Sequence, residues 1–536
     1  MSILDARELD ANAELSTDVC IVGAGAAGLT VAAALEGGSR DVCIIESGGF
    51  QPDEETQSLY DLEAQGYPIR EHFMSRARYY GGSCNLWAGR SMRFDACDLA
   101  HRSWVQYSGW PLAHTELARY YPEAARIMGL PDIGFFEAER HEAALSAEER
   151  SLYAGDALVP TVSLWATRPK RFGAAHRARL RRSRTVRLVL HGNVTKITLD
   201  ADGGRVESVE GATLAGNRFR VRARAVVLAC GGLENARLLL FSRDQHERGV
   251  GNACGQVGRY LMDHPRGVYG TVRLREGARL SLLDARPRVD GTVQFGVGFS
   301  DGVQQREGLL DHYATLEVQH SEYTARQYQS FIQIMKVLLR RGYAGSRWRA
   351  GRANMGHIAG MLYLLAPREL IPHWVYRSYW HARRAVGGAP ASRDRVVVYF
   401  CEQPPDPESR VTLSRSTDRL GMNRLILNWK VDPCVHASVY RLQALLKERL
   451  DQTGMGTLRE GTGEIAFTDA SHHMGTTRMS ETPRTGVVDT DGQVHGVHGL
   501  YLAGSSVFPS ASHKNPTLTI VALALRLAQH LERNGG

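Results

Sequence analysis

Two short runs near the C-terminus hold residue types that can move a proton. The first is His472-His473-Met474-Gly475-Thr476 and the second is His513-Lys514-Asn515-Pro516-Thr517-Leu518-Thr519. Imidazole titrates near neutrality, so a histidine can take the proton of a hydroxyl as a hydride leaves the adjoining carbon. An asparagine amide does not titrate, but it can hold that oxygen and stabilise negative charge developing on it. His473 is the candidate base and Asn515 its partner. His472 and His513 are neighbours that an extended backbone turns to the other face. His513 is kept as a candidate substrate contact. In glycine-rich segments such residues also serve as caps and loop contacts.

This chemistry needs a hydride acceptor and a scaffold. Residues Asp18 to Val22 read as a short buried strand, followed at once by Gly23-Ala24-Gly25-Ala26-Ala27-Gly28 and a small-residue helix. The next strand, Val42 to Ile45, ends in Glu46, about twenty residues after Gly23, as expected between a dinucleotide fingerprint and its ribose-binding acid. Gly23 makes the tight turn, Gly25 lets the backbone approach a pyrophosphate, Gly28 lets helix and strand pack, and Glu46 accepts from ribose hydroxyls. Ala26 and Ser47 join the same site. NAD and FAD share this fingerprint. A later strand, Ala223 to Cys230, runs into Gly231-Gly232 and the helical LENARLLL. It resembles the second strand-to-glycine element of flavoproteins whose FAD domain is built from separated pieces of chain. Between them, residues 194–214 read as a strand, a turn and another strand. FAD is favoured. Asn515 suits an N-cap and Pro516 the first turn of an apolar helix over Thr517 to Leu531, whose positive end can face a flavin.

Together with YGGSCNLW (residues 80–87) and LMDHP (residues 261–265), these segments resemble the glucose-methanol-choline (GMC) oxidoreductase family. HxMGT followed by NPTLT is similar to the branch that contains pyranose oxidases and the flavin subunits of sugar dehydrogenases. The resemblance spans both ends of the chain and omits the middle. It implies an α/β fold, with a Rossmann-like FAD-binding domain assembled from separated segments and a substrate domain of antiparallel sheet plus helices. It implies FAD-dependent oxidation of an alcohol, such as a secondary hydroxyl of a sugar, glycoside or cyclic polyol, with Asn515 beside the substrate oxygen and His473 opposite. Gly81, Gly82, Ser83 and Asn85 are the implied second flavin loop, and Val194, Gly504, Ser505, Pro516 and Thr517 are further cofactor contacts. In pyranose oxidases the position matching Leu86 is the histidine that attaches FAD covalently. Leu cannot form that bond, so the FAD is expected to be non-covalently bound. GMC-like scaffolds also host redox-neutral lyases, and a flavin subunit passing electrons to a protein partner is the other alternative.

The expected organisation is an FAD-binding first part at 1–100, a connecting helical segment at 101–180, and an FAD-binding second part at 181–265. A substrate-binding domain follows at 266–455, then an FAD-binding and catalytic part at 456–536. In the substrate domain VYGTVRL, VVVYF, RVTLS and RLILNW read as strands, and Glu402 or Gln403 is a candidate substrate contact or a turn residue. Residues 321–385 hold eleven Lys or Arg against Glu322 and Glu369. Basic amphipathic helices there fit a pocket lid, a homo-oligomer interface, or contact with a membrane surface or acidic carrier. The eight cysteines are scattered singly, so no metal is expected. The formal charge of +8 is nearly all arginine, a skew that a GC-rich genome explains, so nucleic acid is not an expected partner. No apolar run is long enough to span a membrane, and the acidic start does not read as a signal peptide. A cytoplasmic location is expected. The electron acceptor is left open among oxygen, a quinone and a protein.

Overall fold

The computed structural model describes residues 2–70, 72–278, 280–287, 291–318 and 393–534. The basic segment 321–385 lies outside the described residues. The strand Ala13–Val22 ends in four buried residues and pairs in parallel with Val42–Ile45 on one side and Arg218–Leu228 on the other. Strands covered on both faces read as unbroken apolar runs, as VCII does at residues 42–45. Ile3–Asp5 and Val186–Leu190 extend the parallel sheet at one edge. At the other lies the antiparallel hairpin Asn193–Leu199 and Val206–Ala212, and Leu500–Leu502 pairs with Arg218–Leu228. One eight-stranded sheet thus draws on three distant stretches of chain, the separated-segment architecture that the resemblance implied.

The glycine turn leads into the helix Ala26–Leu35, which packs against the C-terminal helix Thr517–Asn534. Ala26 and Thr517, the first residues of these helices, line the same cavity.

The second large sheet has nine strands. Its path runs Gly456–Arg459, Arg266–Leu274, Asp394–Cys401, His312–Val318, Gly291–Phe299, Leu158–Ala166 and Arg90–Ser91, with all pairings antiparallel. The helix Pro433–Thr453 packs on it, started by the Asp432 cap and Pro433, and ended by Gly454 in left-handed conformation (φ 60°). Two of the expected strands, Arg410–Thr417 and Asn423–Trp429, belong to a separate three-stranded sheet with Leu62–Gly66.

The C-terminal loop that carries Asn515 is tied to the rest by buried charge. Lys514 Nζ lies 2.6 Å from Asp98 and 2.8 Å from Asp95. Burial opposes its charge, but Asp98 and Asp95 hold it well above the usual lysine range. Nearby, Arg102 makes a bidentate pair with the fully buried Glu402. Removing one partner of a buried pair strands the other. Lys514→Met is therefore expected to cost about 3–5 kcal/mol, read as a lower chemical-denaturation midpoint. Lys514→Met combined with Asp98→Asn should recover part of that loss; an unchanged midpoint in the single variant would refute the assignment.

Candidate functional site

A cavity of about 580 Å³ runs between the parallel sheet, the C-terminal helix and the antiparallel sheet. Of the expected cofactor residues, Gly23, Gly25, Ala26, Glu46, Ser47, Gly82, Ser83, Val194, Gly231, Gly504, Ser505, Pro516 and Thr517 all line it. The surfaces fit a dinucleotide. A Cβ added to Gly25, Gly231 or Gly504 would meet no atom within 4 Å, so these glycines leave open space against the cavity. Gly25 starts its helix without a side-chain cap, which leaves first-turn N–H groups free for an anion. Gly23 has φ 104°, and a Cβ there would sit 2.6 Å from Ala229 O, so the turn requires glycine. Arg78 also lines the cavity, and its buried Nε has no hydrogen-bond partner among the described residues.

Three expected cofactor contacts serve the scaffold. A Cβ on Gly28 would lie 2.0 Å from Gly23 O, so Gly28 permits the close packing of turn and helix and does not line the cavity. Gly81 donates its N–H to Ala24 O, and Asn85 Nδ2 donates to Tyr80 O. Both order the loop behind Gly82 and Ser83 without lining the cavity. Glu46 accepts from the N–H groups of Ala24 (2.8 Å) and Gly48 (3.0 Å), which fixes the turn, and it also lines the cavity. The helix after Asn515 opens at Thr517, and Pro516 O accepts from Ile520 N, so the cap lies one residue later than expected.

At the other end of the cavity lie His472, His473 and Asn515. The hydrogen bonds sort them. Asn515 Nδ2 lies 3.5 Å from His472 Nε2, so Asn515 pairs with His472 rather than with His473. His472 Nδ1 lies 2.8 Å from His264 Nδ1, and His264 Nε2 lies 3.3 Å from Ala511 O. A carbonyl only accepts, so His264 carries its proton on Nε2 and its Nδ1 is bare. His472 therefore donates from Nδ1, and its Nε2 lone pair faces Asn515. Burial, then His264 and His473, then Arg70 and Arg266 hold His472 well below the usual histidine range, so it is a neutral base.

His473 lines the same cavity but has a different partner. Its Nε2 lies 4.0 Å from Asp263 Oδ2, and burial with Arg76 lowers it to about 4. Asp263, Asp469 and His473 each bring a ligand-type atom within 4.8 Å of the others. The two carboxylates are already engaged by the chain. Asp263 accepts from the N–H groups of His264, Ala470 and His472, and Asp469 accepts from Arg70 N and Ser471 Oγ. They clamp the loop that presents His472.

The two candidate substrate contacts are corrected. Gln403 Oε1 accepts from Asp263 N and the Trp429 indole, and its Nε2 donates to Leu261 O and Lys430 O. All its capacity is spent on buried structure. His513 Nδ1 lies 2.7 Å from Asp311, and its ring packs on Tyr313; neither Gln403 nor His513 lines the cavity. Glu402 is likewise committed to Arg102. Sequence reasoning missed the roles of His264 and Asp263, although both lie in the LMDHP motif. It also missed Arg70, Arg90 and Arg266, which line the cavity from distant strands and loops.

Residues 18–389 match the family model for FAD dependent oxidoreductase, and residues 405–524 match that for GMC oxidoreductase. The chain belongs to the FAD-dependent oxidoreductases of the GMC family. It is 27% identical to paromamine 6'-oxidase of Streptomyces fradiae, over 96% of this chain and 90% of that protein. It is 28% identical to C-glycoside 3-oxidase of Microbacterium trichothecenolyticum, over 63% and 52%. A solved fungal aryl-alcohol oxidase shares the fold, with a TM-score of 0.57 and 17% identity over 98% of this chain and 99% of that one. No described helix is long and apolar enough to cross a membrane.

Leu86 lines the cavity, and its side chain has no nitrogen to form a covalent link to a flavin. Acid or heat is therefore expected to release intact FAD into the supernatant. Yellow colour retained by the precipitated protein would overturn this.

Proposed function

We propose that the chain oxidises a hydroxyl of a sugar-like alcohol to a carbonyl, with His472 as the base and Asn515 holding the substrate oxygen. The observation that carries this reading is the pairing of Asn515 Nδ2 with the bare Nε2 of His472 on the cavity wall. Bound in the cavity, FAD supplies the hydride acceptor. His472 Nε2 takes the hydroxyl proton, while Asn515 Nδ2 donates to the oxygen as charge develops on it. The helix that starts at Thr517 directs its positive end to the same cavity. Paromamine 6'-oxidase and C-glycoside 3-oxidase, as the names of relatives, support a sugar-like substrate. His473 remains the second candidate for the base because it too lines the cavity.

Anaerobic stopped-flow reduction of the bound flavin by an alcohol separates the two histidines. His472→Ala is expected to slow reduction by on the order of 10²- to 10⁴-fold with FAD still bound. The proton-accepting form of His472 is the neutral ring, and its lowered pKa keeps that form present at neutral pH. The wild-type rate should therefore fall only well below the usual histidine range, and His472→Ala should lose this acid limb. Asn515→Ala should slow reduction and keep it. If His473→Ala abolishes the limb while His472→Ala leaves it, the base is His473.

His264 acts through His472 as a positioning residue. His264→Ala should slow reduction by about 10- to 100-fold, the range seen when a partner that orients a functional histidine is lost. Gln at this position can donate to Ala511 O and accept from His472, so His264→Gln should restore much of the rate. Equal rates in the two variants would reject a tautomer-setting role.

A further inference from the structure

The antiparallel sheet carries a row of arginine and aromatic side chains on its cavity face. Arg266, Phe400 and Tyr313 lie directly opposite one another across three neighbouring strands, and Arg90 opposes Trp165. Directly opposed residues project to the same face. The Cζ atoms of Arg266 and Arg90 lie 5.0 Å and 4.8 Å from the centre of the same Phe400 ring. Arg90 Cζ is also 4.9 Å from Trp165 and 5.5 Å from Tyr313. Arg70, a third cation, lines the same cavity. Arg70 donates its backbone N–H to Asp469, which also accepts from Ser471 beside His472, and Arg266 lies opposite Thr468 across the sheet, so both sit near the loop that carries His472.

These charges are poorly matched by the chain. Among the described residues, Arg70 reaches Asp469 and Arg266 reaches Glu317 only at 4.0 Å. Among the described residues Arg90 donates to the neutral Gln294 Oε1 at 3.0 Å, makes no ion pair, and has a buried Nε without a partner. Burial, together with Arg90 and Arg70, pushes Arg266 below the usual arginine range despite Glu317. Aromatic faces ease the cost of holding a guanidinium there, but they leave its in-plane N–H donors unused. An anion between them would accept those donors and relieve the repulsion of like charges.

We propose that the substrate is an alcohol that also bears an anionic group, a carboxylate or a phosphate ester, held by Arg90 and Arg266 with Arg70 at the same end of the cavity. This rests on the alcohol-oxidising reading of the His472 end. The cation row discriminates against amine-bearing sugars, because a like charge would enter a site already short of anions.

The test is anaerobic titration of the FAD-loaded enzyme with glucose, glucosamine, glucuronate and glucose 6-phosphate, following perturbation or bleaching of flavin absorbance. At least one of the two anions is expected to half-saturate at roughly tenfold lower concentration than glucose, the scale of one charge-assisted contact, with glucosamine weakest. Which anion responds tells carboxylate from phosphate. Arg90→Gln and Arg266→Gln should each bring that anion towards the level of glucose, and Arg266→Lys should keep most of the preference, which guards against misfolding as the cause. Glucose binding as tightly as both anions, no response to either anion, or an anion preference that survives both glutamine variants overturns the proposal. Tight anion binding without any alcohol oxidation would instead refute the oxidation reading and leave the anion site standing.

Discussion

A backbone carbonyl can only accept, and one of them, on Ala511, fixes the protons of the whole row from His264 to Asn515. It assigns the proton of His264, which assigns that of His472, which leaves a lone pair directed at Asn515. The row works only if two loops hold their register. Ser512, just after the Ala511 carbonyl, and Ser471, just before His472, both adopt left-handed backbone (φ 53° and 64°). Such conformations cost about 1–3 kcal/mol each for a residue with a side chain. They are offset locally, since Ser512 Oγ bonds Asp98 and Ser471 Oγ bonds Asp469. Asp263 completes the arrangement by gathering three N–H groups from both segments that carry the histidines.

The two large sheets divide the labour according to what each can present. The parallel sheet ends in glycine turns and helix starts, so it offers backbone N–H groups and open space, which suit a cofactor common to many enzymes. The antiparallel sheet offers a face of side chains, and its cavity end carries Arg90, Arg266, Trp165 and Phe400. The cofactor-type residues and the arginine-aromatic row are thereby carried by different elements. One can vary without disturbing the other.

This division also decides what could be read from the sequence. The unit from Gly23 to Glu46 was legible because the turn, the helix start and the acid at the end of the second strand fall within one local unit with fixed spacing. Of its glycines, Gly28 proved a packing residue, as its place in the turn required. Which of two adjacent histidines faces Asn515 was not legible. The pairing depends on Asp263, which lies more than two hundred residues away in the chain and holds the N–H of His472. Gln403 was misread for a similar reason. Its partners Asp263, Leu261 and Lys430 come from separate segments, and only the packed structure shows that its amide has no capacity left. The arginine row depends on the register of strands drawn from residues 90 to 401, which no local pattern encodes.

If His472 is the base, as proposed, the cations near it have two opposed effects on the reaction. They lower its affinity for a proton, which weakens it as a base. They also favour negative charge on a nearby oxygen, which makes the alcohol easier to deprotonate. At an effective dielectric near 20, two unit charges 4 Å apart interact by about 4 kcal/mol, and the interaction falls inversely with distance. The balance therefore turns on which is nearer to the guanidiniums, the imidazole or the substrate oxygen. Asn515 bears on this under the proposed reading, in which its amide, 3.5 Å from His472 Nε2, holds the substrate oxygen beside that nitrogen. A weak neutral base then suffices, provided that the oxygen is held and its developing charge is met from outside the histidine.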